Sequence, residues 1–182
     1  MNRPFLIDVD GVCIDWLDPF LLYMKRIGHV PEPGVTDYDL RKRFPKHPDV
    51  PNAIACFTHT MDYLNLEPIR GAVDGMFLLK ERFPESLMVA VTCCGTDDFA
   101  TKGRRFQLRH MPFDAMIALP LGAAKARVFH QLASGVVIDD HERHTEEAII
   151  AGHQALLFDQ PWNRDALGLR VHGWPGVLEF FA

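Results

Sequence analysis

Two aspartates stand one residue apart, Asp8 and Asp10 in DVDGV, directly after the apolar run Phe5-Leu6-Ile7. The run reads as a buried strand, and Gly11 ends it with a sharp turn. Side chains alternate along a strand, so residues two apart at its C-terminal end reach the same site above the sheet edge. Two carboxylates held that close repel each other unless a cation or a shared proton lies between them.

Matching groups follow downstream. Leu87-Met88-Val89-Ala90-Val91 is a second apolar run, and it ends in Thr92. Val136-Val137-Ile138 is a third, and it ends in Asp139-Asp140. Between them Gly122-Ala123-Ala124-Lys125 opens a helical segment with a lysine on its first turns. Three strands therefore end in Asp, Thr and Asp, and a helix start supplies Lys. In open parallel sheets ligands bind outside the carboxyl ends of the strands, where these groups converge.

The elements that must position them alternate. Strands are expected at 4–9, 87–92, 115–119, 135–139 and 155–158, and helices at 71–83, 97–110, 123–133, 143–151 and 175–181. This is an α/β pattern, a Rossmann-like parallel sheet with helices on both faces. No such strand appears over 15–69. That stretch has a helical pattern from Pro19 to Ile27, the connector HVPEPGVTDY, the segment FPKHPDVP and a second helical pattern from Ala53 to Leu64. Residues 1–14 and 70–182 are thus expected to form the core, with 15–69 as a helical insertion.

At 182 residues the chain can bury one core plus a small appendage. A formal charge of −5 gives no extended surface for nucleic acid. The basic stretch Arg41-Lys42-Arg43 with Lys46 reads as solvated surface of the insertion that could still attract an anionic substrate. No run approaches the roughly 20 apolar residues of a membrane span, and none reads as a signal peptide. Cys13, Cys56, Cys93 and Cys94 lack a secreted-framework spacing, so four reduced thiols in a cytoplasmic protein are expected.

The ordered set Asp8-x-Asp10-Gly11, Thr92, Lys125, Asp139-Asp140 resembles the haloacid dehalogenase-like (HAD) hydrolase superfamily. Within it, DVDGVCIDWLDPF, LEPIRGAVDGM and LLFDQPWNR look like the 5'(3')-deoxyribonucleotidases. One departure is Thr92-Cys93-Cys94-Gly95, where those enzymes usually continue as Thr-Ser-Pro. The resemblance implies that 15–69 is a C1-type cap. It also implies that Asp8 is a nucleophile forming an aspartyl-phosphate, with Asp10 as acid and then base. Thr92 would bond the phosphoryl oxygens and Lys125 would offset negative charge. A nucleoside monophosphate is the implied substrate, with another small phosphate ester or a polynucleotide end as the alternative, and the resemblance allows a homodimer.

The residue types fit that chemistry. A phosphate monoester is doubly charged near neutral pH, so an attacking carboxylate needs a cation beside it. Magnesium (Mg2+) suits an all-oxygen site, here Asp8, Asp139 and the backbone carbonyl of Asp10, with Asp140 orienting waters or its neighbour. In the resembled superfamily the dehalogenases lack an acid two residues after the nucleophile, so Asp10 argues for a phosphatase, with a phosphotransferase second. A receiver domain would place its lysine after the final acids, and a silent phosphate-binding module would have no use for the full set.

The remaining candidates are weaker. Phe20 stands where the nucleotidases carry an aromatic that packs on the base, and packing in the cap core is its alternative. Cys93 follows Thr92 and is a candidate to line the site. His141 and His144 are expected on an exposed helix start, since magnesium prefers oxygen. Trp162-Asn163-Arg164 is expected in a loop near the sheet edge, with Arg164 as a candidate phosphate contact.

Overall fold

The computed structural model describes residues 3–182. Six parallel strands form one sheet: β1 (Phe5–Ile7), β2 (Met88–Thr92), β3 (Ala115–Ala118), β4 (Val136–Asp139), β5 (Gln154–Phe158) and β6 (Arg170–Val171). Their order is β3-β2-β1-β4-β5-β6, which puts β1 at the centre between β2 and β4. The order reverses direction at β1, so the crevice above its end is where ligands gather in sheets of this kind.

Strand alternation splits the core in two. Phe5 and Ile7 face one side, where Met76 and Leu79 of α5 (Ala72–Arg82) and Trp174 and Val177 of α9 (Gly173–Phe180) cover them. Leu6 and Val137 face the other, under Phe129 of α7 (Ala126–Gln131) and Ala148 of α8 (Glu142–Ile150). Helix α6 (Asp98–Gln107) follows β2. Helices thus cover both faces, as the alternating pattern predicts.

Residues 15–69 contain no strand of the sheet. They hold α1 (Leu17–Arg26), α2 (Leu40–Arg43), α3 (Val50–Thr58) and α4 (Met61–Leu64). The chain leaves and re-enters the core side by side: Ile69 N donates to Cys13 O at 2.8 Å and Asp15 N to Glu67 O at 3.0 Å. Phe20, Met24, Phe44, Phe57 and Tyr63 pack in the same apolar cluster as the face of β1.

Three expectations shift. The helix foreseen from Ala53 to Leu64 is broken after Thr58, because Thr60 caps a new helix by accepting from Tyr63 N at 3.2 Å. The helix expected from 123 starts at Ala126, after Gly122 takes φ +67. Helix α2 and strand β6, each very short, were not expected. Among the described residues no helix is long and apolar enough to cross a membrane.

Candidate active site

Asp8 follows β1 directly, and its N–H donates to Ile138 O of β4 at 2.9 Å. The register pairs Ile7 with Ile138, so the next residues, Asp8 and Asp139, are neighbours on the face that α7 covers. From the start of α7, Lys125 reaches both carboxylates: Nζ lies 2.7 Å from Asp8 Oδ1 and 2.7 Å from Asp139 Oδ2. Lys125 offers no capping side chain to its own helix. Glu147 of α8 does so instead, accepting from Lys125 N at 2.8 Å and Ala126 N at 3.0 Å.

The charges are strongly perturbed. Burial pushes the Asp8 carboxyl up to about 6, helped by the Asp139 and Asp10 carboxylates and opposed by Lys125. Burial also works to raise Asp139, but Lys125 and His144 outweigh it and hold that carboxyl well below its usual range. Asp140 is pushed far up, first by burial and then by Asp8 and Asp139. Asp8, Asp139 and Asp140 each offer an oxygen within 4.8 Å of the others. One ammonium against three carboxylates leaves a site of hard oxygens that a divalent cation would suit.

Asp139 and Asp140 both stand close enough to Asp8 to share a cation with it, but they differ in surroundings. Both Asp139 oxygens are engaged, Oδ2 by Lys125 and Oδ1 by His141 N at 2.9 Å, and Asp139 does not line the cavity. Asp140 lines it. Asp140 is held by the DQPWNR segment: Trp162 Nε1 donates to Oδ2 at 3.0 Å, and Asn163 Nδ2 donates to the Asp140 carbonyl at 2.8 Å. Gly11 permits the approach. It sits at φ +80, and a Cβ there would collide with Asp140 Oδ2. Arg164, a candidate phosphate contact by sequence, is exposed and does not line the cavity.

Asp10 stands across the turn from Asp8, and its partner was not foreseen. Arg104 of α6 is fully buried and donates from Nη2 to Asp10 Oδ2 at 2.6 Å, with its guanidinium 5.3 Å from the centroid of the Tyr63 ring. Asp10 Oδ1 is buried without a hydrogen bond, as is the hydroxyl of Thr92 at the end of β2. A buried hydroxyl without a partner is uncommon and suits a position where a ligand acceptor docks. The signal for Arg104 was its place in a stripe of small and buried residues, Ala100, Gly103 and Gln107.

Above these groups lies a cavity of about 470 Å³, walled by the core loops and by the insertion. Trp16, Tyr38 and Trp162 give it aromatic walls, and Arg43 lines it from α2. Cys93 lines it as expected, with a thiol that burial pushes up to about 12, so it is a neutral wall rather than a nucleophile. The two histidines are not exposed. His144 is buried with Nδ1 3.4 Å from Asp139 Oδ2, and half-buried His141 meets the ring of Tyr38 at 3.9 Å between centroids. Burial and then His144 push His141 down to about 4.

Phe20 is not on the cavity wall. It is fully buried in the insertion, stacked on Trp16 at 4.7 Å and edge-on to Phe57 at 5.5 Å. Trp16 is the aromatic that meets the cavity, and Phe20 supports it from behind. Phe20→Ala is therefore expected to lower stability by about 3–5 kcal/mol in urea unfolding. Its losses in activity should be similar on large and small substrates, because no base contact is removed.

Solved structures share this architecture. A haloacid dehalogenase-like family hydrolase from Streptococcus pneumoniae matches with a TM-score of 0.71 at 18% identity, over 99% of this chain and 98% of that one. An L-2-haloacid dehalogenase matches with a TM-score of 0.64 at 14% identity, over 100% and 99%. CbbY from Rhodobacter sphaeroides, in complex with phosphate, matches with a TM-score of 0.62 at 15% identity, over 96% and 95%. No protein-family model and no curated protein sequence matches the chain. The fold is that of the haloacid dehalogenase-like hydrolases. Because the matches include a dehalogenase as well as a phosphate complex, fold alone leaves the reaction open.

Proposed function

We propose that this chain is a magnesium-dependent phosphomonoesterase that works through an aspartyl-phosphate on Asp8. One observation carries the reading: Asp8 and Asp10 share one turn, with Lys125 on Asp8 and the unpaired Thr92 hydroxyl at the next strand end. Asp8 and Asp139, with the carbonyl of Asp10, would hold the cation, and Asp140 offers a further oxygen within reach of the same point. When bound, the cation neutralises the carboxylates and the phosphate dianion enough for one to approach the other.

The protein groups then divide the work. Asp8 attacks phosphorus, forming its bond as the ester P–O bond breaks. Asp10 gives its proton to the leaving alkoxide and later takes one from the water that hydrolyses the aspartyl-phosphate. Arg104 fixes Asp10 by one oxygen and leaves Oδ1 free to carry the proton. Lys125 stays with Asp8 and offsets charge as it builds on the phosphoryl group. Thr92 donates its hydroxyl hydrogen to a phosphoryl oxygen. A dehalogenase has no alkoxide to protonate, so Asp10 separates this reading from the dehalogenase that shares the fold.

The finer reading is a nucleotidase acting on a nucleoside monophosphate. The DWLDPF and DQPWNR segments support it, because they bring Trp16 and Trp162 to the cavity as surfaces for a base. Excess chelator is expected to stop hydrolysis of p-nitrophenyl phosphate, and added magnesium to restore it. Calcium should restore it poorly, since its looser coordination misplaces the attacking carboxylate. Full activity in chelator would remove the cation from the mechanism. A wild-type screen without preference for nucleotides over sugar phosphates would reject the nucleotidase and leave the phosphatase.

A further inference from the structure

The basic run Arg41-Lys42-Arg43 splits in the fold. Arg41 is exposed and meets Asp39 at 2.8 Å, and Lys42 is exposed and meets Asp37 at 2.6 Å. Arg43 turns inward, is 6% exposed and lines the cavity. Its Nε donates to the Asp37 carbonyl at 2.8 Å. Among the described residues it forms no ion pair, and its terminal nitrogens make no hydrogen bond. Arg41, which shares the cavity wall, and Lys42 are thus held by direct carboxylate pairs, while Arg43 feels Asp37 and Asp18 only at longer range and keeps its terminal nitrogens open to the cavity. A guanidinium largely withdrawn from water gains from an anion that meets its open nitrogens.

Position identifies what could meet it. The Arg43 guanidinium lies 5.9 Å from the centroid of the Trp162 ring, and Trp162 Nε1 bonds Asp140 at 3.0 Å. Arg43 therefore stands one indole away from the acidic cluster, on the insertion side of the cavity. An ester whose phosphate sits at Asp8 would extend its alcohol portion toward that side. A guanidinium fork matches the paired oxygens of a carboxylate or phosphate, and charge-assisted bonds strengthen in a dry site.

We propose that Arg43 is a specificity-determining residue that binds a second anionic group on the alcohol portion of the substrate. The inference rests on the phosphomonoesterase reading and narrows it to bis-anionic esters, whose second group is a carboxylate or another phosphate. Nucleoside bisphosphates satisfy both this subsite and the aromatic walls.

The test uses matched pairs of esters with the wild-type protein and the variants Arg43→Gln and Arg43→Lys. The short pair is 2-phosphoglycolate against ethyl phosphate, which reports a carboxylate. The long pair is adenosine 3',5'-bisphosphate against adenosine 5'-monophosphate, which reports a second phosphate. In the wild type, kcat/KM should favour the bis-anionic member of at least one pair by about tenfold or more, the scale of a hydrogen bond to a charged group. Arg43→Gln should bring that ratio close to one, mainly through KM, and Arg43→Lys should recover part of it. Because each ratio is taken within one protein, a general weakening of the insertion by the substitution cancels. A wild-type ratio near one for both pairs, or a ratio that Arg43→Gln leaves unchanged, overturns the subsite. If no ester is turned over by any of the proteins, the phosphomonoesterase reading fails. Calorimetric binding of adenosine 3',5'-bisphosphate then decides the subsite: about tenfold weaker binding to Arg43→Gln supports it, and equal affinity overturns it.

Discussion

Asp8→Asn is expected to lower kcat on p-nitrophenyl phosphate by more than about a hundredfold, the minimum for losing a covalent catalyst. The amide keeps the shape of the carboxylate but has neither its charge nor its nucleophilicity. The same change removes a charge from beside Asp10, Asp139 and Asp140. Burial and those neighbours already disfavour the ionised Asp8 in the folded protein. An acid whose folded pKa is raised costs stability above that pKa, so losing its charge should not lower the unfolding midpoint measured in chelator. Lys125 keeps Asp139 as its partner. Inactivity together with an undiminished midpoint is the signature of a reacting group, whereas inactivity with a falling midpoint would indicate a structural one. More than about a hundredth of wild-type kcat remaining would contradict the nucleophile assignment.

The parts of the site that a linear reading could reach are those set by local geometry. Asp8, Thr92 and Asp139 each close an apolar run, and a run's end is visible in sequence because strand and turn residues differ in type. The parallel sheet followed from the same runs. Two short pieces, α2 and β6, carry too few residues for a period to show, and the break after Thr58 lies inside a stretch that reads as one helix. Arg104 and Asp10 are 94 residues apart, and no local pattern joins them. Arg43 was read as solvated because its neighbours Arg41 and Lys42 are, and only the fold turns it toward the cavity. The acidic pair Asp139-Asp140 is legible as a motif, but the surroundings of its two carboxylates are not. The ladder register supplies them: Ile138 pairs with Ile7, so Asp139 falls beside Asp8 under Lys125, while Asp140 lines the cavity. Phe20 and Trp16 lie within five residues on one short stretch, and which of the two meets the cavity depends on packing that sequence does not display.

Lys125→Met is expected to damage both stability and activity, which separates it from Asp8→Asn. Lys125 is 1% exposed and bridges two carboxylates. Removing one partner of a buried ion pair leaves uncompensated charge and costs about 3–5 kcal/mol, so urea unfolding in chelator should show a loss of that order. The sign of its pH dependence follows from Asp139. In the wild type Lys125 and His144 hold that carboxyl below its usual range despite burial. Without Lys125 only His144 remains to oppose burial, so the carboxyl moves up from that low position. A depressed carboxyl contributes stability above its unfolded pKa and loses it in acid, so the variant's deficit should grow with pH and shrink in acid. Adding Asp139→Asn to Lys125→Met removes one stranded charge and should recover part of the stability, a non-additivity that a double-mutant cycle measures directly. Activity should not return with it, because the phosphoryl group still lacks the ammonium beside Asp8. Additive losses in the cycle would mean that the two side chains are uncoupled, against the 2.7 Å contact between them.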